Sequence, residues 1–448
     1  QTLGIQSLDD LESAARTGRI AELDGFGAKS QDSILENIAL LRSFQGRRRL
    51  ADAAGDANRV MAHLQSSGFT HVRLAGEMAR RLNDVGRIDI VAVGSDKPEV
   101  GDLELSSSDH PDGTAWEGTL PDGVDLRIVV SDADCAGMAH FRETGPAPFV
   151  DVVLESQAAP SGSAPDEQSL FEAWGLPWIA PELRDLPGAA DRLESLAAID
   201  LITDADLKGV LHNHSTYSDG AHTLKQMSDA VRERGYQYFG ICDHSQSLKV
   251  ANGMSPETVA RQQEEIRELN QAYASDGGPV FRVFSGVESD ILADGSLDYT
   301  DEVLASFDFV VASVHVRFNM SESEATDRLI TAISHPATRI LGHPTGRLIL
   351  KREGYPVDHR AVLEACAAHH VSVELNANPY RLDLDWRWIE LARELGVLVS
   401  INPDAHAIEQ IDLMTWGVAA ARKGGLMASE CLNAFSLDVF SSWISTEQ

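Results

Sequence analysis

Thiols are few in this chain. Four cysteines, Cys135, Cys242, Cys366 and Cys431, are spread over 448 residues, with no CxxC pair and no disulfide-framework spacing. That excludes a disulfide scaffold and a thiolate metal knuckle, and it points to a reducing cytoplasm. Lysine is also scarce: Lys29, Lys97, Lys208, Lys225, Lys249, Lys351 and Lys423 are all there are, and arginine carries most of the positive charge. With 37 Lys and Arg against 69 Asp and Glu, the formal net charge is -32. A field of that sign repels nucleic acid at low salt. Two explanations stay open: a surface suited to a salt-rich cytoplasm, where the Debye length shrinks to about 3 Å near 1 M salt, or plain compositional bias. No run approaches the ~18 apolar residues of a membrane span, and no signal peptide is expected, so no membrane association is expected. The chain opens on Gln1 rather than Met, within a helical pattern, so native residues upstream are expected to be missing.

The length predicts two to four domains. Residues 1–46 read as helical: Ser7 precedes an acidic first turn, and in "DGFGAKSQDSIL" Gly25 and Gly27 make a tight turn before a helix that Ser30 is placed to cap. Residues 47–150 open on Arg47-Arg48-Arg49 and alternate helix and strand, with strands at "HVRLAG", "RIDIVAVG" and "VDLRIVV". Residues 151–203 hold an Ala/Pro/Ser/Gly-rich linker, Gln157 to Pro165, and a Pro-rich connector. Residues 204–448 alternate seven apolar strands with helices, which predicts a parallel, nearly closed barrel.

The ends of those seven strands carry the chemistry. In chain order they read His212-Asn213-His214 with Asp219 just beyond, Asp243-His244, Glu288, His315, His343, Glu374, and Asp404-Ala405-His406. In a (β/α) barrel these ends converge on one face, and side chains at i and i+2 of a strand point the same way. A lone histidine at a strand end is usually just a satisfied polar residue, but six of fifteen histidines at such ends, beside three carboxylates, is not that case. Imidazole and carboxylate without thiolate suit Zn, Mn or Fe. So many ligands exceed one ion's needs and imply two or three divalent ions, with Glu288 bridging. Asp243 and Glu374 are candidates for orienting a ligand. Arg347, a few residues past His343, is a candidate phosphate clamp. With Glu288 and Asp404 it makes up the expected catalytic set.

"LHNHSTYSDG", "CDHS", "GVES", "SVH", "GHP" and "PDAH" together resemble the motif set of PHP metal-dependent phosphoesterases. The resemblance implies a distorted (β/α)7 barrel holding three ions. One would take His212, His214, Glu288 and Asp404; a second, Glu288, His315 and His343; a third, Asp219, His244 and His406.

The front half resembles bacterial and archaeal family X DNA polymerases. It shows a helix-hairpin-helix in which Gly25, Gly27 and Lys29 would meet a DNA phosphate, then a nucleotidyltransferase palm, then "GLPWIAPELRD". The resemblance implies a first DNA-binding domain that is expected to be missing from this sequence. The palm departs from the family pattern. Gly76 is followed by Glu77 where a phosphate-binding serine is usual, and Ala79 replaces an arginine. The Asp-x-Asp metal pair reads Arg87-Ile88-Asp89, and only Asp125 remains as the third carboxylate. Arg142-Glu143 stands at the sugar-contacting aromatic pair, and the thumb is shortened. Two-metal polymerisation needs paired carboxylates, so templated nucleotide addition is expected to be absent.

The expected protein is therefore an α/β multidomain chain: helix-hairpin-helix, degenerate palm, thumb remnant and PHP barrel. Its expected function is hydrolysis of single-stranded or gapped DNA 3′ ends, as an exonuclease or repair end-processor. The stretch Arg47 to Arg49 is expected to help the front half approach the DNA backbone. Two other readings stand beside it: a small-monoester phosphatase of the histidinol-phosphatase type, and a DNA-binding scaffold with structural metals. The sequence leaves metal identity and oligomeric state open.

Overall fold

The computed structural model describes residues 3–23, 25–95, 97–121, 123–157 and 163–445. Residues 158–162, the middle of the expected linker, lie outside the described residues.

Helices α1 (Leu8–Arg16) and α2 (Ala28–Ser43) form a small hairpin closed over Ala14, Ala15 and Ile20. Ser7 caps α1 in a reciprocal box with Asp10, as its spacing predicts. Ser30 does not cap α2. Gly25 takes φ +85°, which turns the chain early, and α2 begins at Ala28 with Gly27 as its N-cap. Ser30 thus falls inside the first turn, and Gly27 makes no side-chain cap bond.

Strand β1 (Arg48–Arg49) pairs with β3 (Asp84–Val85), and α3 (Leu50–Ser66) packs against a five-stranded sheet. That sheet runs β2 (Thr70–Ala75), β4 (Arg87–Val93), β7 (Asp125–Ser131), β6 (Gly113–Thr119), β5 (Ser106–His110). Strands β2, β4 and β7 are the three legible in the sequence; the hairpin β5–β6 is an addition. Its strands are mostly polar and half solvent-facing, so they carry no strong apolar alternation. Helix α4 (Gly76–Ala79) follows β2 closely: a Cβ on Gly76 would stand 2.2 Å from an Asp89 carboxylate oxygen.

Beyond the sheet, α5 (Ala136–Thr144), α6 (Ala147–Ser156) and α7 (Glu167–Trp174) gather Phe141, Phe149, Phe171 and Trp174 edge to face. Arg184 is buried in this cluster and paired with Glu167 at 2.5 Å. Burial alone would raise the Glu167 carboxyl, but Arg184 and His140 hold it below the usual range. The apolar core here is continuous with that of the barrel. From Ser163 onward the connector is therefore a packed wedge rather than a loose tether.

The barrel strands are β8 (Gly209–Val210), β9 (Tyr238–Ile241), β10 (Arg282–Asp290), β11 (Phe309–Ser313), β12 (Thr338–Leu341), β13 (Ser372–Asn376) and β14 (Val399–Asn402). They pair in sequential order, all parallel. The seam between first and last is nearly closed just past the strands, where the His214 N–H donates to the Ala405 carbonyl at 2.8 Å.

Among the described residues, contacts of two kinds help fix the front half to the barrel. Asp185 receives both Arg80 (3.1 Å) and the buried Lys423 (2.5 Å), and the Arg49 guanidinium lies 3.6 Å above the Tyr380 ring. The arginine stretch expected to approach DNA is thus partly committed within the fold. Arg47 pairs with Asp84 and Glu77, and Arg49 pairs with Asp52 while stacking on Tyr380. Among the described residues no helix is long and apolar enough to cross a membrane.

Candidate metal centre

All nine expected ligand residues meet at the C-terminal mouth of the barrel. Three groups of their ligand atoms lie within 4.8 Å of one another: His214, Asp219, His244 and His406; His212, His214 and Asp404; His244, Glu288 and His315. Glu288 sits at the middle. One of its oxygens is 3.1 Å from His315 Nε2, 3.0 Å from His343 Nε2 and 3.3 Å from His212 Nε2, and the other is 2.8 Å from His244 Nδ1. Asp404 Oδ1 is 3.0 Å from His214 Nε2. His406 Nε2 is 3.3 Å from Asp219. His214 is stacked between His244 and His406, at 4.4 and 4.1 Å between ring centres. Two ligands, His212 and Asp404, hold positive φ (54° and 51°), a backbone state that non-glycine residues keep where a site demands it.

The donor set fits cations. Glu288 Oε2 and His212 Nε2, both at the ligand cluster, are buried without a hydrogen-bond partner, a cost that coordination would remove. Burial opposes ionisation of Glu288 and Asp404, yet the surrounding imidazoles hold both carboxyls well below their ordinary range. Burial and the stacked rings of His406 and His244 push His214 down to about 3. Ionised carboxylates and neutral imidazoles are the ligating forms, so a cation would displace the protons that the neighbouring carboxylates favour on His212, on His315 (raised to about 10) and on His406 (raised to about 9).

A supporting layer orients the ligands. His212 Nδ1 is 2.5 Å from Glu374 Oε2, and Glu374 also accepts the His343 N–H (3.1 Å) and the Asn402 side-chain amide (2.8 Å). Asp243, the other candidate orienter, accepts from Ser215, Ser218 and Gln262 and so braces the loop carrying Asp219. The sequence reading passed over Asp290. It lies 2.6 Å from His315 Nδ1 and stands two residues after Glu288 on the same strand, so the E-x-D alternation was its signal.

Arg347 is not where a phosphate clamp would be. Its guanidinium donates to the Arg381 and Leu382 carbonyls and to Asp385, which pins the loop after β13. The arginine at the ion site is Arg381, also passed over, with Nε 3.9 Å from Asp404 Oδ2 and a quarter of its side chain exposed.

In the palm, the charged groups are paired among themselves. Arg87 donates to Asp89 at 2.6 Å, and Asp89 is 4% exposed. Burial raises the Asp89 carboxyl to about 6, against the pull of Arg87. Glu77 accepts the Gly86 N–H at 2.7 Å. Arg127, opposite Asp89 in register, is held by Glu143 at 2.8 Å, and Arg142 pairs with Asp112 at 3.0 Å. Asp125 stands opposite Arg87, exposed, and accepts from Thr119 at 2.9 Å.

The PHP domain family model matches residues 211–377, the stretch that carries most of these ligands. The DNA polymerase/3'-5' exonuclease PolX of Bacillus subtilis (strain 168) is 36% identical over 462 aligned positions, covering 97% of this chain and 79% of that protein. Among solved structures, a histidinol phosphate phosphatase from Lactococcus lactis, complexed with zinc, L-histidinol and phosphate, aligns with 49% of this chain and 94% of its own, at 16% identity and a TM-score of 0.37. A polymerase beta from Leishmania infantum aligns with 41% of this chain and 82% of its own, at 13% identity and a TM-score of 0.26. With its palm, its PHP barrel and 36% identity over nearly its whole length, this chain belongs to the PolX family of DNA polymerase/3'-5' exonucleases.

Proposed function

We propose that the protein is a metal-dependent phosphoesterase that trims DNA from 3′ ends, and that its palm no longer adds nucleotides. The observation that carries the first part is the convergence of His212, His214, Asp219, His244, Glu288, His315, His343, Asp404 and His406 on one mouth, in a member of this family.

Two or three divalent ions, Mn or Zn by donor chemistry with Fe also compatible, would be held as the PHP resemblance implies. His212, His214, Glu288 and Asp404 would take one. Glu288, His315 and His343 would take another, and Asp219, His244 and His406 the third. When bound, such ions act as Lewis acids toward a phosphoryl oxygen and lower the pKa of water. The chain's own part is to hold that arrangement rigid. Glu374 and Asp290 fix the ring orientation of His212 and His315, and Arg347 fixes the loop that sets Arg381 beside Asp404. Arg381 would receive a non-bridging phosphate oxygen there.

The self-paired palm supports the second part. Arg87 occupies the Asp89 carboxylate, and Glu77 already fills an anion's place on the Gly86 N–H. A triphosphate with Mg²⁺ would have to break both pairs and would then meet an extra carboxylate. The α1–α2 hairpin, with Gly25, Gly27 and the exposed Lys29, is the proposed DNA handle.

The test is to incubate the protein with Mn²⁺ and single-stranded DNA labelled at its 5′ end, with small phosphomonoesters and a primed template in parallel. Stepwise shortening from the 3′ end, without primer extension, is expected. Rapid release of phosphate from the monoester with DNA left intact would replace this reading by the phosphatase one.

A further inference from the structure

Two of the contacts between the front half and the barrel lead to one segment, the stretch after β13 that carries Arg381. Arg49 reaches it directly, with its guanidinium 3.6 Å from the centre of the Tyr380 ring. Asp185 reaches it through Lys423, whose ammonium pairs with Asp185 at 2.5 Å and lies 4.4 Å from the centre of the Trp386 ring. Tyr380 is the chain neighbour of Arg381, and Arg381 Nε stands 3.9 Å from Asp404 Oδ2. A palm side chain is thus in contact with the residue next to the arginine of the ion site.

Each side of the Arg49–Tyr380 contact is fixed in its own domain. On the barrel side, the turn is tight: the Tyr380 N–H donates to Asn378 Oδ1 at 3.0 Å, and the Arg381 and Leu382 N–H groups donate to the Asn378 carbonyl at 2.8 and 3.0 Å. The Ile349 N–H donates to the Tyr380 carbonyl at 2.7 Å, and Arg347 donates to the Arg381 carbonyl at 2.9 Å. These bonds grip the backbone of the turn. Tyr380 itself remains 52% exposed, so the barrel leaves much of it uncovered and Arg49 supplies cover from the palm. On the palm side, Arg49 pairs with Asp84 across β1 and β3, it precedes the first turn of α3, and Asp52 holds its guanidinium at 2.6 Å. A cation over an aromatic face attracts it, and here neither partner can drift without moving its domain. Small displacements of a group that meets the reacting phosphate are costly in rate.

Resting on the phosphoesterase reading above, we propose that Arg49 is a positioning residue for hydrolysis: stacked on Tyr380, it steadies the turn that sets Arg381 beside Asp404. The palm thereby completes a hydrolytic site whose metal ligands all belong to the barrel. Arg49 acts through Arg381 and need not touch DNA. Arg381 would gain strength as charge develops on the phosphoryl oxygens, so the effect of Arg49 falls on kcat and spares metal and DNA affinity.

The experiment follows 3′ trimming of a 5′-labelled single strand by the full chain at saturating Mn²⁺, in a double-mutant cycle of Arg49→Ala with Arg381→Ala. Arg49→Ala should lower kcat about fivefold, the scale of one cation–π contact, with KM and the Mn²⁺ midpoint held within about twofold. Arg49→Lys keeps a cation for the ring and should recover most of that loss. In the Arg381→Ala background, Arg49→Ala should cost nothing further. An unchanged kcat in folded Arg49→Ala overturns the proposal, as does a loss that persists in full without Arg381 or one confined to KM. If Arg49→Ala misfolds by circular dichroism, Tyr380→Leu removes the same contact from an exposed position and is read by the same criteria. If Arg381→Ala trims nothing, the cycle of Arg49→Ala with Tyr380→Leu decides, and losses that add overturn the proposal. No trimming by the wild type sinks the phosphoesterase reading itself.

Discussion

The Nδ1 of His212 lies 2.5 Å from Glu374 Oε2, with both side chains fully buried. This contact fixes which nitrogen of His212 faces the ion site, because Nδ1 is committed to the carboxylate and Nε2 is left toward Glu288 and Asp404. Glu374→Gln keeps the shape but removes the charge that holds the tautomer. Metal affinity should fall by about 10–100-fold. Activity at limiting Mn²⁺ should fall with it and recover at saturating metal. A variant whose metal titration overlays the wild type would show that Glu374 is only packing.

Glu167 and Arg184 form a buried pair inside the Phe141–Phe171 cluster. Glu167→Ala leaves a guanidinium uncompensated in that core and should destabilise the wedge by about 3–5 kcal/mol. Urea unfolding followed by tryptophan fluorescence is the check, since Trp174 lies in the cluster. A midpoint shift near zero would mean that Arg184 finds other partners.

Much of the ion site was legible because its ligands fall just past the strand ends, which a parallel barrel brings to one mouth; strand alternation was not the reason, since His212 and Asp404 lie beyond β8 and β14 at positive φ. Asp290 escaped because a carboxylate two residues past Glu288 reads as part of a buried strand, and only the fold brings it to His315. Arg381 escaped because it stands beyond the strand, on a loop whose path Arg347 sets. Arg347 itself was misread: proximity in sequence to His343 did not survive the turn that sends its guanidinium to backbone carbonyls. The β5–β6 hairpin was missed although "HPDG" is a turn signal, since the flanking strands are too polar to show alternation. The arginines after α2 looked like a DNA patch, but their partners Asp84, Glu77, Asp52 and Tyr380 come from distant or downstream positions that composition cannot pair.

Asp89 gives a pH test of the palm. Burial raises its carboxyl from 3.8 to about 6. Between those values the folded protein keeps a proton that the unfolded chain has lost. The associated stability is full below 3.8 and is lost as pH rises through about 6. Ionising Asp89 in place therefore costs about 3 kcal/mol above that window. Asp89→Asn does not titrate and can still accept from Arg87. Its apparent melting temperature relative to wild type should rise as pH goes from about 4 to about 7. A relative melting temperature that is flat or falls over that range would place an ionised, well-solvated carboxylate at Asp89, as a working metal site needs.

A primer-extension assay in the Asp404→Ala background, where trimming cannot mask synthesis, isolates the palm. No templated addition with Mg²⁺ or Mn²⁺ is expected. Extension that disappears on adding Asp125→Ala would return the palm to service and contradict the reading of Arg87 and Glu77.

The barrel mouth is proposed to hydrolyse DNA ends. The 3′-trimming rate of Asp404→Ala is to be compared with wild type on the same single strand with saturating Mn²⁺, with DNA affinity measured in parallel. Asp404 is 3.0 Å from His214 and 3.9 Å from Arg381, within the ligand set. Trimming should fall below detection while the dissociation constant for DNA stays within about threefold, because the proposed DNA contacts lie mainly outside the ion site. Trimming at the wild-type rate in a folded Asp404→Ala protein would contradict that proposal.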